Sequence, residues 1–244
     1  MRISITGAQN TGKTTLVKNF IAVWPQYSTP TKTYRDVIRE KNLPHSSTTT
    51  TESQWSILNF MLDQMQQYDK NSNVVYDRCP LDNLVYTLWA FDKGLEGFNK
   101  SFVDKCITIT KESLRQLDII FLTRFDASLP VENDGLRDAN IDNIIEVDNL
   151  FSALFKQFQR NYDADVFFPK NDSPGIIELP VNPQQRIDLI AEYVDPQGNS
   201  YGEEASIFNP NHLDQLEALV KQQRDALEQE QKERELYKKF GLIV

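Results

Sequence analysis

The sequence predicts an α/β protein built on a doubly wound parallel sheet, with helices on both faces and a charged helical extension at the C-terminus. Short apolar segments alternate along the chain with longer segments of helical periodicity, which is typical of such a sheet. A glycine-rich loop joins the first apolar segment to the first helical one. The 244 residues are enough for one full α/β domain with an appendage.

The predicted strands are short and mostly apolar. They fall at residues 1–6, at Val74–Asp77, at 118–122 and at 175–179. A further strand-like segment at 27–31 is weak because Pro30 interrupts it. We expect the first strand to be central and a ligand to bind across the carboxyl ends of the strands.

Amphipathic periodicity predicts a helix after each of these strands and several more between them. Pro25 ends the first helix, and the capping-box pattern Thr49-x-x-Glu52 opens the third. The predicted helical segments are 14–24, 33–41, 52–68, 84–89, 101–116, 144–160 and 184–193.

These elements define a predicted domain at residues 1–194, with a polar, Asp-rich lid segment at about 124–142. Residues 195–244 are predicted to form a turn-rich linker and a long charged helix over 213–239. Its apolar heptad positions are interrupted, so a stable coiled coil is not favoured. The helix is the expected contact for a partner protein or for a second copy of the chain.

Composition and charge limit the classes of function. The net charge of −9 is concentrated in residues 112–212, which disfavours indiscriminate nucleic-acid binding, although the first half could carry a local basic groove. No apolar stretch reaches the roughly 20 residues of a membrane span, and no signal peptide precedes the first strand. We therefore expect a cytoplasmic protein, located in the host cytoplasm if it is phage-encoded.

Cysteine and histidine do not indicate a metal or disulfide site. Cys79 and Cys106 show no C-x-x-C spacing, and His45 and His212 are isolated, which is typical of ordinary surface or core residues.

The glycine-rich loop at residues 7–14 fits the phosphate-binding pattern G-x-x-x-x-G-K-[ST]. Its glycines let successive backbone N–H groups point at one anion, and the following helix adds its dipole. Lys13 is expected to contact the β- and γ-phosphates, and Thr14 to place its hydroxyl on Mg²⁺. The predicted nucleotide-binding residues are Gly7, Gln9, Asn10, Thr11, Gly12, Lys13, Thr14 and Thr15.

Two further groups suggest phosphoryl transfer. Asp77 closes an apolar strand, where a carboxylate can hold Mg²⁺ or accept a proton from an attacking hydroxyl, and Arg78 follows it as a candidate phosphate or substrate contact. Arg137 lies in the Asp-rich segment, where a closing loop could bring positive charge to the transferring group. Arg124 is a weaker candidate for that role. Arg35, on the second predicted helix, is either a substrate contact or part of a solvated face.

Taken together, Gly7-x-x-x-x-Gly12-Lys13-Thr14, Tyr34-Arg35, Asp77-Arg78-Cys79-x-x-Asp82 and Asp134-Gly135-Leu136-Arg137 resemble the P-loop nucleoside and nucleotide kinase-like proteins. This family includes relatives of the nicotinamide riboside kinase domain and phage-type AAA-like kinases. The resemblance covers about residues 1–194. It differs at Cys79, where members often carry Ser or Thr.

The resemblance implies ATP with Mg²⁺ and transfer of the γ-phosphoryl group to a hydroxyl of a nucleoside, nucleotide or related substrate. It assigns Asp77 as the Mg²⁺-linked or basic carboxylate, Arg35 and Arg78 to the substrate, and Arg137 as the lid arginine. Some phage relatives are thought to phosphorylate a hydroxymethylated pyrimidine base in DNA, which is the first alternative.

A nucleotide-switched regulatory ATPase or an interaction protein is the alternative from another class. The guanine-reading pattern Asn-Lys-x-Asp of GTPases is not present, since Asn99-Lys100 is followed by Ser101-Phe102. An interaction protein would use the predicted helix at 213–239 as its working surface and nucleotide as a structural ligand.

Overall fold

The centre of the fold is a parallel sheet of four strands. The computed structural model describes residues 1–128, 140–160 and 164–201. The strands are β1 (Arg2–Gly7), β2 (Val74–Asp77), β3 (Ile119–Thr123) and β4 (Gly175–Glu178). Their order is β2-β1-β3-β4, so β1 is flanked on both sides, as predicted. All pairings are parallel, which brings the carboxyl ends of the strands to one edge.

Helices connect the strands and cover the sheet. In the described ranges the α-helices are α1 (Lys13–Val23), α2 (Tyr34–Lys41), α3 (Thr51–Gln66), α4 (Pro80–Asp92), α5 (Lys100–Leu114), α6 (Ile141–Arg160), α7 (Ala164–Phe167) and α8 (Arg186–Ile190). Short 3-10 turns occur at Ser46–Thr48 and Pro183–Gln185. None of these described helices combines the length and hydropathy that a membrane crossing requires.

The two faces of the sheet bury separate sets of side chains, because neighbouring residues of a strand point to opposite faces. Ile5 and Phe121 pack in one cluster with Phe20 of α1 and Ile190 of α8. The second cluster contains side chains of β2 and β3 together with side chains of α4 and α6. Helices therefore cover both faces, and the predicted doubly wound α/β fold is confirmed.

The start of α3 differs from the predicted capping box. Thr50, not Thr49, is the N-cap, and its side chain accepts a hydrogen bond from the Ser53 backbone N–H at 3.2 Å. Thr49 is buried, and its hydroxyl accepts instead from Gln54 Nε2 at 2.8 Å. The Thr49-x-x-Glu52 prediction was therefore wrong by one residue, because a run of threonines offers equivalent caps at adjacent positions.

The weak segment at 27–31 does not form a strand. It makes a single parallel bridge, between Ser28 and Val74, at the outer side of β2. The Ser28 N–H donates to Asn73 O, and Ser28 O accepts from the Val75 N–H. Pro30 has no N–H to donate, so the ladder does not continue past this bridge.

The turn that follows α8 is bonded to the end of α1. Trp24 Nε1 donates to Asp195 O at 2.8 Å, and the Tyr27 hydroxyl donates to Gly198 O at 2.7 Å. Residues Met1–Gly198 form one compact unit, and a second begins at Asn199. The predicted helix at 213–239 lies outside the described residues, so the division after residue 194 and the role of the extension stay predictions.

Candidate active site

The phosphate-binding loop leaves the carboxyl end of β1 and enters α1 at Lys13. Gly7, Asn10 and Gly12 have φ angles of 139°, 59° and 80°. Such left-handed conformations fold the loop into a concavity, and glycine adopts them without steric cost. The loop is also fixed from β3, because the hydroxyls of Thr11 and Thr123 lie 2.7 Å apart.

Gly7 is the position of the loop where a side chain would do most damage. A Cβ there would overlap the carbonyl oxygen of Thr123, a backbone atom that is fixed within the sheet. We expect Gly7→Ala to lower the free energy of unfolding by about 2–4 kcal/mol, through this overlap and the positive φ. Thermal unfolding checks this, with Gly94→Ala as the control, because Gly94 has φ 66° but no atom within 4 Å of its added Cβ. Equal losses in the two variants would contradict a steric role for the Gly7–Thr123 contact.

Lys13 is buried beneath this loop. Its ammonium group donates to the Ala8 carbonyl and, at 3.0 Å, to Thr11 Oγ1. Burial, and then the neighbouring Arg78, hold the pKa of Lys13 well below its usual value. A bound anion would favour the charged form again, so this lysine is suited to contact phosphate.

Thr14 and Asp77 meet at the carboxyl edge of the sheet. Thr14 Oγ1 donates to Asp77 Oδ2 at 2.6 Å, which joins the first turn of α1 to the end of β2. A hydroxyl and a carboxylate are hard oxygen ligands of the kind that Mg²⁺ prefers beside phosphate oxygens. These two residues fit a Mg²⁺ ion bound together with a nucleotide.

Arg78 lies below the loop and does not extend into solvent. It is 6% exposed, and its φ of 83° turns the chain sharply after β2. Nη1 donates to Asp82 Oδ1 at 2.7 Å and to Gly7 O at 3.1 Å. The guanidinium also lies 5.1 Å from the ring centre of Tyr34 and 5.7 Å from that of Tyr86.

Asp82 is a structural carboxylate whose function the sequence pattern did not reveal. It is 1% exposed and accepts from the Thr6 hydroxyl, from the Gly7 N–H at 3.3 Å and from the Cys79 N–H at 3.0 Å. Cys79 is the N-cap residue of α4. Asp82 therefore bonds the phosphate-binding loop to the turn after β2.

Two cavities adjoin at this edge of the sheet. The loop cavity lies over the phosphate-binding loop, and the tyrosine cavity lies beyond Arg78. The loop cavity is lined by Gln9 to Thr15, Arg35, Arg78, Arg124, Asp126, Pro183 and Arg186. The tyrosine cavity is lined by Gln9, Tyr34, Ile38, His45, Ser46, Gln54, Ile57, Met61, Arg78, Asp82, Asn83 and Tyr86. Gln9 and Arg78 border both.

The remaining predicted arginines have different surroundings. Arg35 lines the loop cavity, and its Nε has no hydrogen-bond partner among the described residues. Arg124 also lines this cavity, but it is neutralised by ion pairs to Asp148 at 2.8 Å and Glu178 at 3.1 Å. Arg137 lies outside the described residues, so its role as a lid arginine stays a prediction.

A pair of buried amides faces the tyrosine cavity, and sequence analysis did not identify it. Asn83 Nδ2 donates to the backbone O and the Oε1 of Gln54 at 2.9 and 2.6 Å, while Asn83 Oδ1 has no partner among the described residues. Since both Nδ2 partners are acceptors, the orientation of the Asn83 amide is fixed. The available signal was a polar residue inside an apolar helical stripe, which is easily interpreted as core.

The fold and this loop define the chain as a P-loop protein with the α/β architecture of the nucleoside and nucleotide kinases. Residues 2–165 match the AAA domain family AAA_28, and the chain belongs to that family. The resemblance inferred from the sequence is thereby confirmed at the level of the fold and family. A comparison with curated proteins found no match.

Solved structures with this fold include several kinases. Deoxyadenosine kinase from M. mycoides, with products dCMP and dCDP bound, has 15% identity and a TM-score of 0.54, over 79% of this chain and 97% of that one. The NadR protein in complex with NR has 14% identity and a TM-score of 0.55, over 79% of this chain and 51% of that one. Thymidylate kinase from Candida albicans has 17% identity and a TM-score of 0.52, over 78% and 90%.

Proposed function

We propose that this protein is an ATP-dependent kinase that transfers the γ-phosphoryl group to a hydroxyl of a nucleoside, nucleotide or related acceptor. The observation that carries the proposal is the pair of cavities that share Gln9 and Arg78. A hydrolase or switch needs a site for the triphosphate alone. A kinase needs a second site for the acceptor next to the reacting phosphate, and the tyrosine cavity has that position.

The residues of the loop cavity have complementary roles in this reaction. The backbone of the phosphate-binding loop and Lys13 bind the phosphates, and positive charge there stabilises the transferring group. Thr14 and Asp77 would hold Mg²⁺, which supplies charge neutralisation at the phosphate oxygens when it is bound. We assign Asp77 Oδ1 to accept the proton of the acceptor hydroxyl, because Oδ2 already bonds Thr14.

The tyrosine cavity has the chemistry of a site for a planar polar ring. The rings of Tyr34 and Tyr86 offer stacking surfaces, and Arg78 lies over both. Burial raises the pKa of Tyr86 to about 12, so its hydroxyl stays protonated at neutral pH. Asn83 Oδ1 offers an acceptor to a ring N–H or amino group. These features support a nucleoside-type acceptor.

The test is phosphoryl transfer from ATP with Mg²⁺ to a panel of acceptors, with products identified by mass spectrometry. The panel holds nucleosides, nicotinamide riboside, deoxynucleoside monophosphates and DNA that contains hydroxymethyluracil. We expect one acceptor class to raise the rate of ATP turnover well above the rate of ATP hydrolysis that the enzyme shows without any acceptor. Phosphorylated DNA would identify the DNA-modifying alternative, and hydrolysis without any phosphorylated product would overturn the kinase proposal.

Replacing Asn83 with leucine tests the tyrosine cavity as the acceptor site. The variant removes the free Oδ1 and the bonds to Gln54 at nearly constant volume. We expect the acceptor KM to rise by about fivefold to a hundredfold, since a buried polar group left without its partner costs about 1–3 kcal/mol. The KM for ATP serves as the internal control and is expected to stay within about twofold. If the KM for the acceptor and the KM for ATP rise by the same factor, the Asn83–Gln54 pair does not recognise the acceptor.

A further inference from the structure

Arg186 is a buried cation of the loop cavity to which the sequence pattern gave no role. It is the first residue of α8 and is 2% exposed. Its guanidinium reaches the phosphate-binding loop, where Nη1 would lie 3.4 Å from a Cβ added at Gly12. Arg186 thus contacts the loop from a segment that lies 175 residues after Thr11 in the sequence.

The guanidinium connects two parts of the chain through three carbonyl groups. Nε donates to Pro180 O and Nη2 to Val181 O, each at 2.9 Å. Nη1 donates to Thr11 O at 2.5 Å. Pro180 and Val181 follow β4 closely, and Thr11 lies in the phosphate-binding loop. One side chain therefore holds the segment after β4 against that loop.

The charge of Arg186 is not matched by an ion pair in the part of the chain that the structure describes. All three acceptors are neutral carbonyls, whereas Arg124 in the same cavity is paired with two carboxylates. Burial lowers the pKa of Arg186, although a guanidinium stays protonated at neutral pH. Asp126, which lines the same cavity, is a nearby carboxylate but forms no ion pair with Arg186. A polyphosphate in the loop cavity would place further negative charge beside this buried cation.

We propose that Arg186 is a positioning residue for the donor nucleotide. Its hydrogen bond to Thr11 fixes the shape of the phosphate-binding loop, and its buried charge adds to the field that attracts the polyphosphate. This inference rests on the proposed function, because it takes the loop cavity as the site of the triphosphate. It predicts an effect on donor binding that does not extend to the acceptor.

The experiment measures the Kd for ATP with Mg²⁺ by calorimetry on the full chain, without any acceptor. We compare the wild type with Arg186→Lys, Arg186→Gln and the control Arg115→Gln. Lysine keeps the charge, but its single nitrogen cannot replace the three guanidinium nitrogens that each reach a different carbonyl, whereas glutamine loses the charge as well. Arg115 is a half-buried arginine at the C-terminal end of α5, with ion pairs to Glu112 and Asp172, and it does not line the loop cavity.

We expect the Kd for ATP to rise about fivefold in Arg186→Lys and about thirtyfold in Arg186→Gln, and to stay unchanged in Arg115→Gln. In steady-state assays the KM for ATP rises while the KM for the acceptor stays within about twofold. If Arg186→Gln does not fold, the Kd of the Arg186→Lys variant alone tests the inference. Wild-type affinity in a folded Arg186 variant, or an equal rise of both KM values, would overturn the inference alone. Failure of the wild type to bind ATP would overturn the proposed function and this inference with it.

Discussion

Lys13→Ala is expected to abolish phosphoryl transfer while the protein stays folded. The ammonium group is the cation placed inside the phosphate-binding loop, and its loss removes charge stabilisation from the transferring phosphoryl group. We expect kcat to fall by a factor of about 10³ or more, as for other fixed donors in a water-excluded site. The measurement is the rate of product formation at saturating ATP and acceptor.

The stability of the same variant separates catalysis from folding. Lys13 is buried with a lowered pKa, so its charged form adds little to stability, and we expect Tm to stay level or to rise. Lys18→Ala is the matched control, because Lys18 lies on the same helix and is exposed. An unfolded Lys13→Ala protein would assign this lysine a structural role instead.

Asp77→Asn is expected to slow turnover by about 10² to 10⁴-fold. The amide keeps the size of the side chain but loses the negative charge for Mg²⁺ and the capacity to accept a proton from the acceptor. Its oxygen still accepts from Thr14 Oγ1 across the 2.6 Å contact, so the fold and the binding of ATP are expected to persist. Turnover and ATP affinity are measured at several Mg²⁺ concentrations.

The control for this variant is Asp63→Asn, an equal change of charge at an exposed position of α3. It is expected to leave kcat unchanged. Near-wild-type turnover in Asp77→Asn would contradict both roles proposed for the carboxylate, and a loss of ATP binding as large as the loss of kcat would show that it acts on binding alone.

The sequence was sufficient for the sheet and for the loop because both depend on local patterns. Apolar runs of four to six residues become strands in the predicted order. The phosphate-binding loop is encoded within eight consecutive residues, and Asp77 ends its strand as predicted. Parallel strands then bring Thr14 and Asp77 to one edge without further information.

The sequence was insufficient where function depends on orientation or on distant segments. Arg78 was expected to contact a phosphate or the substrate, and that contact stays a prediction. The sequence did not indicate its left-handed φ, which places it under the loop, bonded to Asp82 and at the border of both cavities. Asn83 and Gln54 are 29 residues apart and meet only when α3 and α4 pack. Arg186 has no pattern around it that distinguishes it from an ordinary helix-surface arginine.

The bonds of Asp82 have a consequence for re-engineering the protein. They couple the loop that would bind the donor to the turn that leads into α4, which carries one wall of the tyrosine cavity. The two halves of the site are therefore linked through the bonds of Asp82, and substitutions at Asp82 are expected to disturb both at once. The acceptor site can be altered separately on its α2 and α3 side. There Ile38, Ile57 and Met61 line the tyrosine cavity and are not among the residues bonded to Asp82.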